Sequence, residues 1–287
     1  MHLSRPLVSW LYVSPLLIVL IPFFVLPILV VLVVSVFETD GFGGLIPTFT
    51  LANYANVLTS GLTFNLYFET VKFTVLTWLF TLILGFFVAY FLAFHVRNQF
   101  LAIGLFLVCT VPFWTSNIIR MISWIPLLGK EGLINSALLH LGLIHEPLGF
   151  LLYSSFAVVV AYVHQLTIFM VVPIFNSMAR IDKRVMEAAF DVGASRFDIL
   201  RLIVIPLCRS GVALGSIFVI SIVMGDFFVT KVMSGGGSAS VVGAFYEDIS
   251  VLQYPGAAAS AVVLTVVLMA TVSLILRTVD IRKEIAQ

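Results

Sequence analysis

Six apolar stretches, at about 9–37, 70–94, 101–125, 151–175, 207–232 and 257–276, decide what this chain can fold into. Crossing a bilayer as a helix takes about 20 mostly apolar residues, and only structures that satisfy their own backbone N–H and C=O groups survive in hydrocarbon. Each stretch is long enough for one crossing. Charged residues make up 10% of the 287, against about 25% in soluble domains, so these are not the buried helices of a large soluble core. The expectation is an all-α integral membrane protein, a six-helix transmembrane bundle forming a single domain over 1–287. No internal repeat or low-complexity linker divides it.

The first stretch follows Arg5 and resembles the start of a secretory signal, but a signal core is only about 7–15 residues long. No small-x-small cleavage site follows it. It reads as a retained membrane anchor, broken or bent near Pro22 and Pro27, because proline removes an intrahelical hydrogen bond. Basic residues set the orientation. With a cytoplasmic N-terminus the inner side carries Arg5, Arg97, Arg180, Lys183, Arg184, Arg196, Arg201, Arg209, Arg277, Arg282 and Lys283, and the outer side and its flanks hold Lys72, Arg120, Lys130 and Lys231. The excess of basic residues inside places both termini in the cytoplasm. A formal net charge of +1 gives no bulk basic character that would point to nucleic acid.

Between the fourth and fifth apolar stretches runs a long polar interruption, Arg180 to Gly211. At helical spacing, Arg184, Glu187, Asp191, Ser195 and Asp198 fall on one face and Met186, Ala189, Phe190, Gly193, Phe197 and Leu200 on the other. Gly193 suits the left-handed position that ends a helix, and Ser195 followed by Asp198 resembles a capping box that starts another. The expectation is a short helix, a turn and a second short helix.

The pattern Glu187-Ala188-Ala189, three residues, Gly193, nine residues, then Ile203, Ile205 and Pro206 resembles the EAA signature of permease subunits of bacterial ABC importers. Where the family often carries a second proline, four residues after the first, this chain has Ser210. The resemblance implies a type I importer permease fold with a cytoplasmic coupling helix pair between spans four and five. It implies that Glu187, Ala188, Ala189, Gly193, Ile203 and Pro206 serve coupling to a separate ATPase. Glu187 would engage that ATPase, Gly193 would permit the turn, and Pro206 would set where the fifth span begins.

Outside this loop the chain offers little chemistry. No GxxxxGK[ST], HExxH or GxSxG motif occurs, and His2, His95, His140, His145 and His164 do not sit with carboxylates at ligand spacing. Catalysis, a metal site and a cofactor held by this chain are therefore not expected. Cys109 and Cys208 lie beside apolar runs and read as small buried hydrophobes. Residues 38–69, with Gly41, Gly43, Gly44 and Pro47, read as a turn-rich outer loop. Leu133, Ile134, Ala137, Leu138 and Leu141 have the spacing of a short amphipathic helix in the outer loop 126–149.

Asp226, near the outer end of the fifth stretch, is the most informative residue outside the polar interruption, because a carboxylate in a membrane helix requires a partner, water or ligand. It either pairs or reaches the interface, or it lines a path that attracts a cation. Trp124, with Arg120 before it, reads as an interfacial anchor or a path residue. His164 and Gln165 either bond to neighbouring helices or line that path. Gly211 and Gly215 form a small-xxx-small pair suited to close helix packing.

Arg120 and Trp124, Gly132-Leu133-Ile134-Asn135, Leu141-Gly142-Leu143-Ile144 and Pro147-Leu148 resemble the pattern of spermidine/putrescine-type permeases. So do Gly225-Asp226-Phe227, Gly235-Gly236 and Tyr254-Pro255-Gly256-Ala257-Ala258. This implies a bacterial inner-membrane importer with a second homologous permease, a cytoplasmic ATPase dimer carrying ATP and Mg, and an external solute-binding protein. The implied cargo is a polyamine. Opines, thiamine, iron chelates and organic cations remain alternatives within the class, and an ion-coupled secondary transporter remains one outside it.

Overall fold

The computed structural model describes residues 5–278 without 41, 97, 238 and 239. His2, Gly41, Arg97, Arg282 and Lys283, named above, lie outside these residues, as do the side chains of Arg5 and Lys183. In chain order the elements are α1 (Arg5–Leu20), α2 (Leu26–Val34), β1 (Glu38–Thr39), β2 (Leu45–Ile46), α3 (Ala52–Thr59), α4 (Gly61–Tyr90), α5 (Gln99–Thr110), α6 (Asn117–Ile122), α7 (Ile125–Leu128) and α8 (Leu133–His140). They continue with α9 (Ser155–Ala179), α10 (Lys183–Asp191), α11 (Arg196–Ile199), α12 (Ile205–Leu207), α13 (Arg209–Gly225), α14 (Phe228–Met233), α15 (Val241–Ser250) and α16 (Tyr254–Thr278).

Among the described residues four helices are long and apolar enough to cross a membrane: Val13–Val34, Gly61–His95, Ser155–Ala179 and Tyr254–Arg277. A fifth course is the pair Arg196–Leu207 and Arg209–Gly225, bent by 63°. The predicted third span, 101–125, is not one helix. α5 ends at Thr110, a 3-10 turn covers Val111–Trp114, and the chain restarts as the short α6. Pro112 has no N–H to continue the α ladder, which accounts for the exit at this point. The predicted fifth span, 207–232, is likewise interrupted, at Asp226 between α13 and α14.

The contacts divide the chain into two compact units, one joining the segment that ends at Phe64 with Ala244–Val266, the other joining Asn65–Gly243 with the segment from Val267 onward. In the first unit the N-terminal helix passes its prolines by widening to a π turn at Ile21–Val25 rather than breaking, and joins α2 without leaving helical backbone angles. Of residues 38–69, read from the sequence as a turn-rich outer loop, 38–60 contain a small antiparallel hairpin and α3, and 61–69 belong to α4. Asp40 Oδ1 accepts from the N–H groups of Phe42 and Gly44, 2.8 Å each, and so closes the hairpin turn. Asn53 donates to the carbonyls of Ser35 and Phe37 at 3.0 and 2.9 Å, fixing α3 to the chain that leaves α2.

The second unit is built around α9. Val158, Tyr162, Leu166, Met170, Ile174 and Met178 recur every four residues and are all buried, forming one ridge of the helix. Two glycine contacts bring neighbouring helices onto that ridge. A Cβ at Gly215 of α13 would lie 2.6 Å from Met170 Sδ, and one at Gly85 of α4 would lie 2.8 Å from Met170 Cγ. Gly211 faces the Pro173 carbonyl and Ser177 Oγ. In a bilayer, where lipid is as apolar as leucine, such close approach lets dispersion contacts hold helices together. Gly211 and Gly215 thus have the packing role their spacing predicts. Trp78 Nε1 of α4 donates to Ser216 Oγ of α13 at 2.8 Å and adds a hydrogen bond between these two helices.

In the predicted outer loop the amphipathic helix forms as α8. Asn135, fully buried on it, donates to the carbonyls of Gly129 and Leu148 and accepts from the Leu148 N–H at 2.8 Å. One side chain thereby ties together two separate backbone segments of the loop.

Candidate functional site

The polar interruption folds as two helices joined by two complementary caps. Asp182 begins α10 by accepting from the Arg184 N–H at 3.0 Å. At its end Gly193 adopts φ +87°, the Gly193 N–H donates to the Phe190 carbonyl at 2.9 Å and the Ala194 N–H to the Ala189 carbonyl at 3.0 Å. These are the two bonds of a Schellman motif, so the last residue of the Glu187-Ala188-Ala189 triplet supplies the carbonyl that closes the turn. A side chain at Gly193 meets no atom within 4 Å; only the backbone angle demands glycine there.

One residue later the second cap begins. Ser195 Oγ accepts from the Asp198 N–H at 3.2 Å, and Asp198 Oδ2 accepts from the Ser195 N–H at 3.0 Å and from its hydroxyl at 2.5 Å. These bonds from the Ser195 side chain and backbone hold the Asp198 carboxyl below its ordinary value of 3.8. The corner between α10 and α11 is therefore fixed from both sides.

The structure divides the predicted coupling residues between two surroundings. Glu187 and Ala188 are exposed, while Ala189 and Ile203 pack against the core of the second unit. Pro206 sits in the first turn of α12, and the fifth span begins at Arg209, after the chain turns at Cys208. Ser210, in the place of a second proline, lies within 3.3 Å of Ser177 on α9. The apolar face read from helical spacing is only partly buried: Met186 packs inward, but Phe190 and Phe197 are 50% and 67% exposed. With Val185 and Val192, also exposed, they give the helix pair an apolar outer surface beside the residues that pack inward.

The three predicted path residues have different immediate surroundings. Asp226 lies at the helix break, where its Oδ1 accepts from the Tyr162 hydroxyl at 3.0 Å and from the Val229 N–H at 2.9 Å. The Tyr162 oxygen is also 3.0 Å from Thr230 Oγ1. The carboxylate therefore caps α14 and joins it to α9, and its partner is a phenol, not a basic group. Gln165, one turn along α9 from Tyr162, is 5% exposed and its amide nitrogen has no acceptor among the described residues. Trp124 donates through Nε1 to His164 Nδ1 at 3.2 Å, with the rings edge to face. Arg120 is 7% exposed and bonded to the Asn117 side chain. Tyr162 was not singled out from the sequence, where a tyrosine in an apolar run carries no distinguishing mark.

The family described as "Binding-protein-dependent transport system inner membrane component" matches residues 82–284. The spermidine/putrescine transport system permease protein PotB of Salmonella typhimurium is 33% identical over 251 residues, covering 87% of this chain and 86% of that protein. PotC, the corresponding permease protein PotC of Escherichia coli, is 39% identical over 67 residues, 23% of this chain and 25% of that one. In fold the chain is similar to a chain of the bacterial alginate ABC transporter solved in complex with an alginate pentasaccharide-bound periplasmic protein, with a TM-score of 0.73 at 15% identity over 95% of this chain and 93% of that one. The chain belongs to the family of inner membrane components of binding-protein-dependent transport systems and is the permease subunit of an ABC importer.

Proposed function

We propose that this permease imports a polyamine such as spermidine or putrescine across a bacterial inner membrane. The observation that carries this reading is the 33% identity to a spermidine/putrescine permease, sustained over 87% of the chain. The chain serves as the first of two non-identical permeases, beside a second homologous subunit, and receives cargo from an external solute-binding protein. Both termini and the helix pair α10–α11 face the cytoplasm, in keeping with the basic residues on that side.

The motor is a separate cytoplasmic ATPase dimer, which holds ATP and Mg and performs the hydrolysis. The exposed surface of Glu187, Ala188, Phe190 and Phe197 supports docking there, because the described residues leave this side of the helix pair uncovered. ATP binding closes the ATPase dimer and moves the docked helix pair as a rigid piece. The bundle then passes from an inward-facing to an outward-facing state, two arrangements favoured by different contacts.

A second reading keeps this machinery and changes the cargo to another small solute. It is favoured by the state of Asp226, whose Oδ1 already accepts two protein hydrogen bonds. Uptake of radiolabelled putrescine and spermidine, with the chain deleted or restored and with or without ATP depletion, tests both. Loss of ATP-dependent uptake on deletion is the expected result. Unaffected polyamine uptake would withdraw the cargo and leave the importer assignment standing.

A further inference from the structure

The face of α13 that turns away from its glycine contacts borders a groove of about 680 Å³, shared with α4 and α16. Trp78, Val212, Ser216, Leu274 and Ile275 line it, and the one charged residue in its wall is Arg209. The polar atoms of the floor are already paired: Trp78 Nε1 donates to Ser216 Oγ, and Ser216 Oγ donates to the Val212 carbonyl at 2.7 Å. What remains is an apolar trough with a guanidinium at one end.

A smaller hollow of about 110 Å³ continues the trough toward Met224, between the same three helices. Thr271 borders both, with Val267 on the Met224 side and Leu274 and Ile275 on the Arg209 side. α16 therefore runs toward the Arg209 end, and Arg277, in its last turn, follows three residues past the lining residue Leu274 on that side. Both arginines are exposed, and neither has a protein acceptor among the described residues. From Arg209 to Met224 the trough follows 15 helical residues, about 22 Å, which exceeds the roughly 15 Å half-thickness of a hydrocarbon core.

An apolar trough between membrane-spanning helices, with an exposed guanidinium in its wall and a second one turn past Leu274 on the same side, matches the chemistry of an anionic phospholipid. A cationic cargo would meet two positive charges and no carboxylate in the wall. A helix of a neighbouring subunit would have to supply acceptors for both guanidiniums, since covering them unpaired carries a high desolvation cost. We propose that this groove binds an anionic phospholipid, its phosphate held by Arg209 and Arg277 and one acyl chain laid along Val212, Ser216 and Ile220. With the orientation proposed above, it is a lipid of the inner leaflet.

Native mass spectrometry of the full chain, released from detergent with equimolar phosphatidylglycerol and phosphatidylcholine, tests this. The wild-type chain should retain phosphatidylglycerol with about tenfold preference, and Arg209→Gln with Arg277→Gln should abolish the preference, whereas Lys130→Gln should keep it. Val212→Trp, which fills the trough and leaves both arginines, should also lose the lipid and covers the case in which the double variant does not fold. Equal retention of the two lipids by the wild-type chain would overturn the proposal, as would displacement of phosphatidylglycerol by putrescine. A photo-crosslinker at position 212 in native membranes should yield an adduct of lipid mass. An adduct of protein mass would assign the groove to a neighbouring subunit instead.

Discussion

The Tyr162 hydroxyl donates to Asp226 across 64 positions of sequence, and this one bond joins the first third of α9 to the break that follows α13. The same carboxylate caps α14 through the Val229 N–H. Its charge and its hydrogen bonds can be separated by substitution. Asp226→Asn keeps an acceptor oxygen for both donors and removes only the charge. If the charge contacts a cationic cargo, uptake at low cargo concentration should fall at least about tenfold, the equivalent of losing one charged hydrogen bond of about 1.5–3 kcal/mol. Tyr162→Phe should instead lower thermal stability, by about 1–3 kcal/mol, because it leaves buried groups short of a partner. Unchanged uptake kinetics in Asp226→Asn would restrict Asp226 to a structural part.

Gly193 should tolerate substitution according to backbone angle, not size. Its φ of +87° lies where asparagine is admitted and a β-branched residue is strained, and the space around it is open. Cargo moved per ATP hydrolysed should therefore fall in the order Gly, Asn, Val, while the ATPase rate persists. Equal coupling in Gly193→Asn and Gly193→Val would show that the turn is not held in that conformation.

Gly211 should behave in the opposite way, because there the constraint is space. A Cβ would strike the Pro173 carbonyl, a backbone atom that cannot swing aside, and would come within 2.9 Å of Ile174 Cα. Gly211→Leu should cost at least about 1–3 kcal/mol and lower the yield of folded protein. Gly225→Ala is the matched control, since a Cβ there meets nothing within 4 Å. A melting temperature for Gly211→Leu equal to that of the control would remove the close α9–α13 contact from the account of stability.

Acid should loosen the start of α11. The folded pKa of Asp198 is depressed by its bonds to Ser195, so the stability it contributes is complete above the ordinary value. That contribution is lost as pH falls through the lower folded value, in the region below about pH 4. Hydrogen exchange at the Asp198 and Ile199 amides should accelerate there beyond the intrinsic rate, and Ser195→Ala should remove the pH dependence. Protection unchanged between pH 5 and 3 would contradict the capping box.

Local chemistry was legible in the sequence and distant pairing was not. Gly193, Ser195 and Asp198 announce a helix end and a helix start because each acts on backbone groups within a few residues. The glycine pair 211 and 215 was legible for a similar reason, as spacing on one helix. The partner of Asp226 was not, because nothing near position 226 marks Tyr162. The third apolar stretch misled through its composition: hydropathy counts side chains and is blind to the break in backbone bonding at Pro112. Phe190 and Phe197 misled because helical spacing shows which residues share a face and not whether this chain covers that face.

The bend of 63° at Cys208 gives the segment before it a particular mechanical character. A straight continuation would make a piston, able to push its span only along its own axis. An elbow makes a crank: a load applied to residues 196–207 acts at a distance from the axis of α13 and arrives there as torque. Because Gly211 and Gly215 press that helix against α9, twist delivered at Arg209 enters the centre of the second unit within two turns of the elbow.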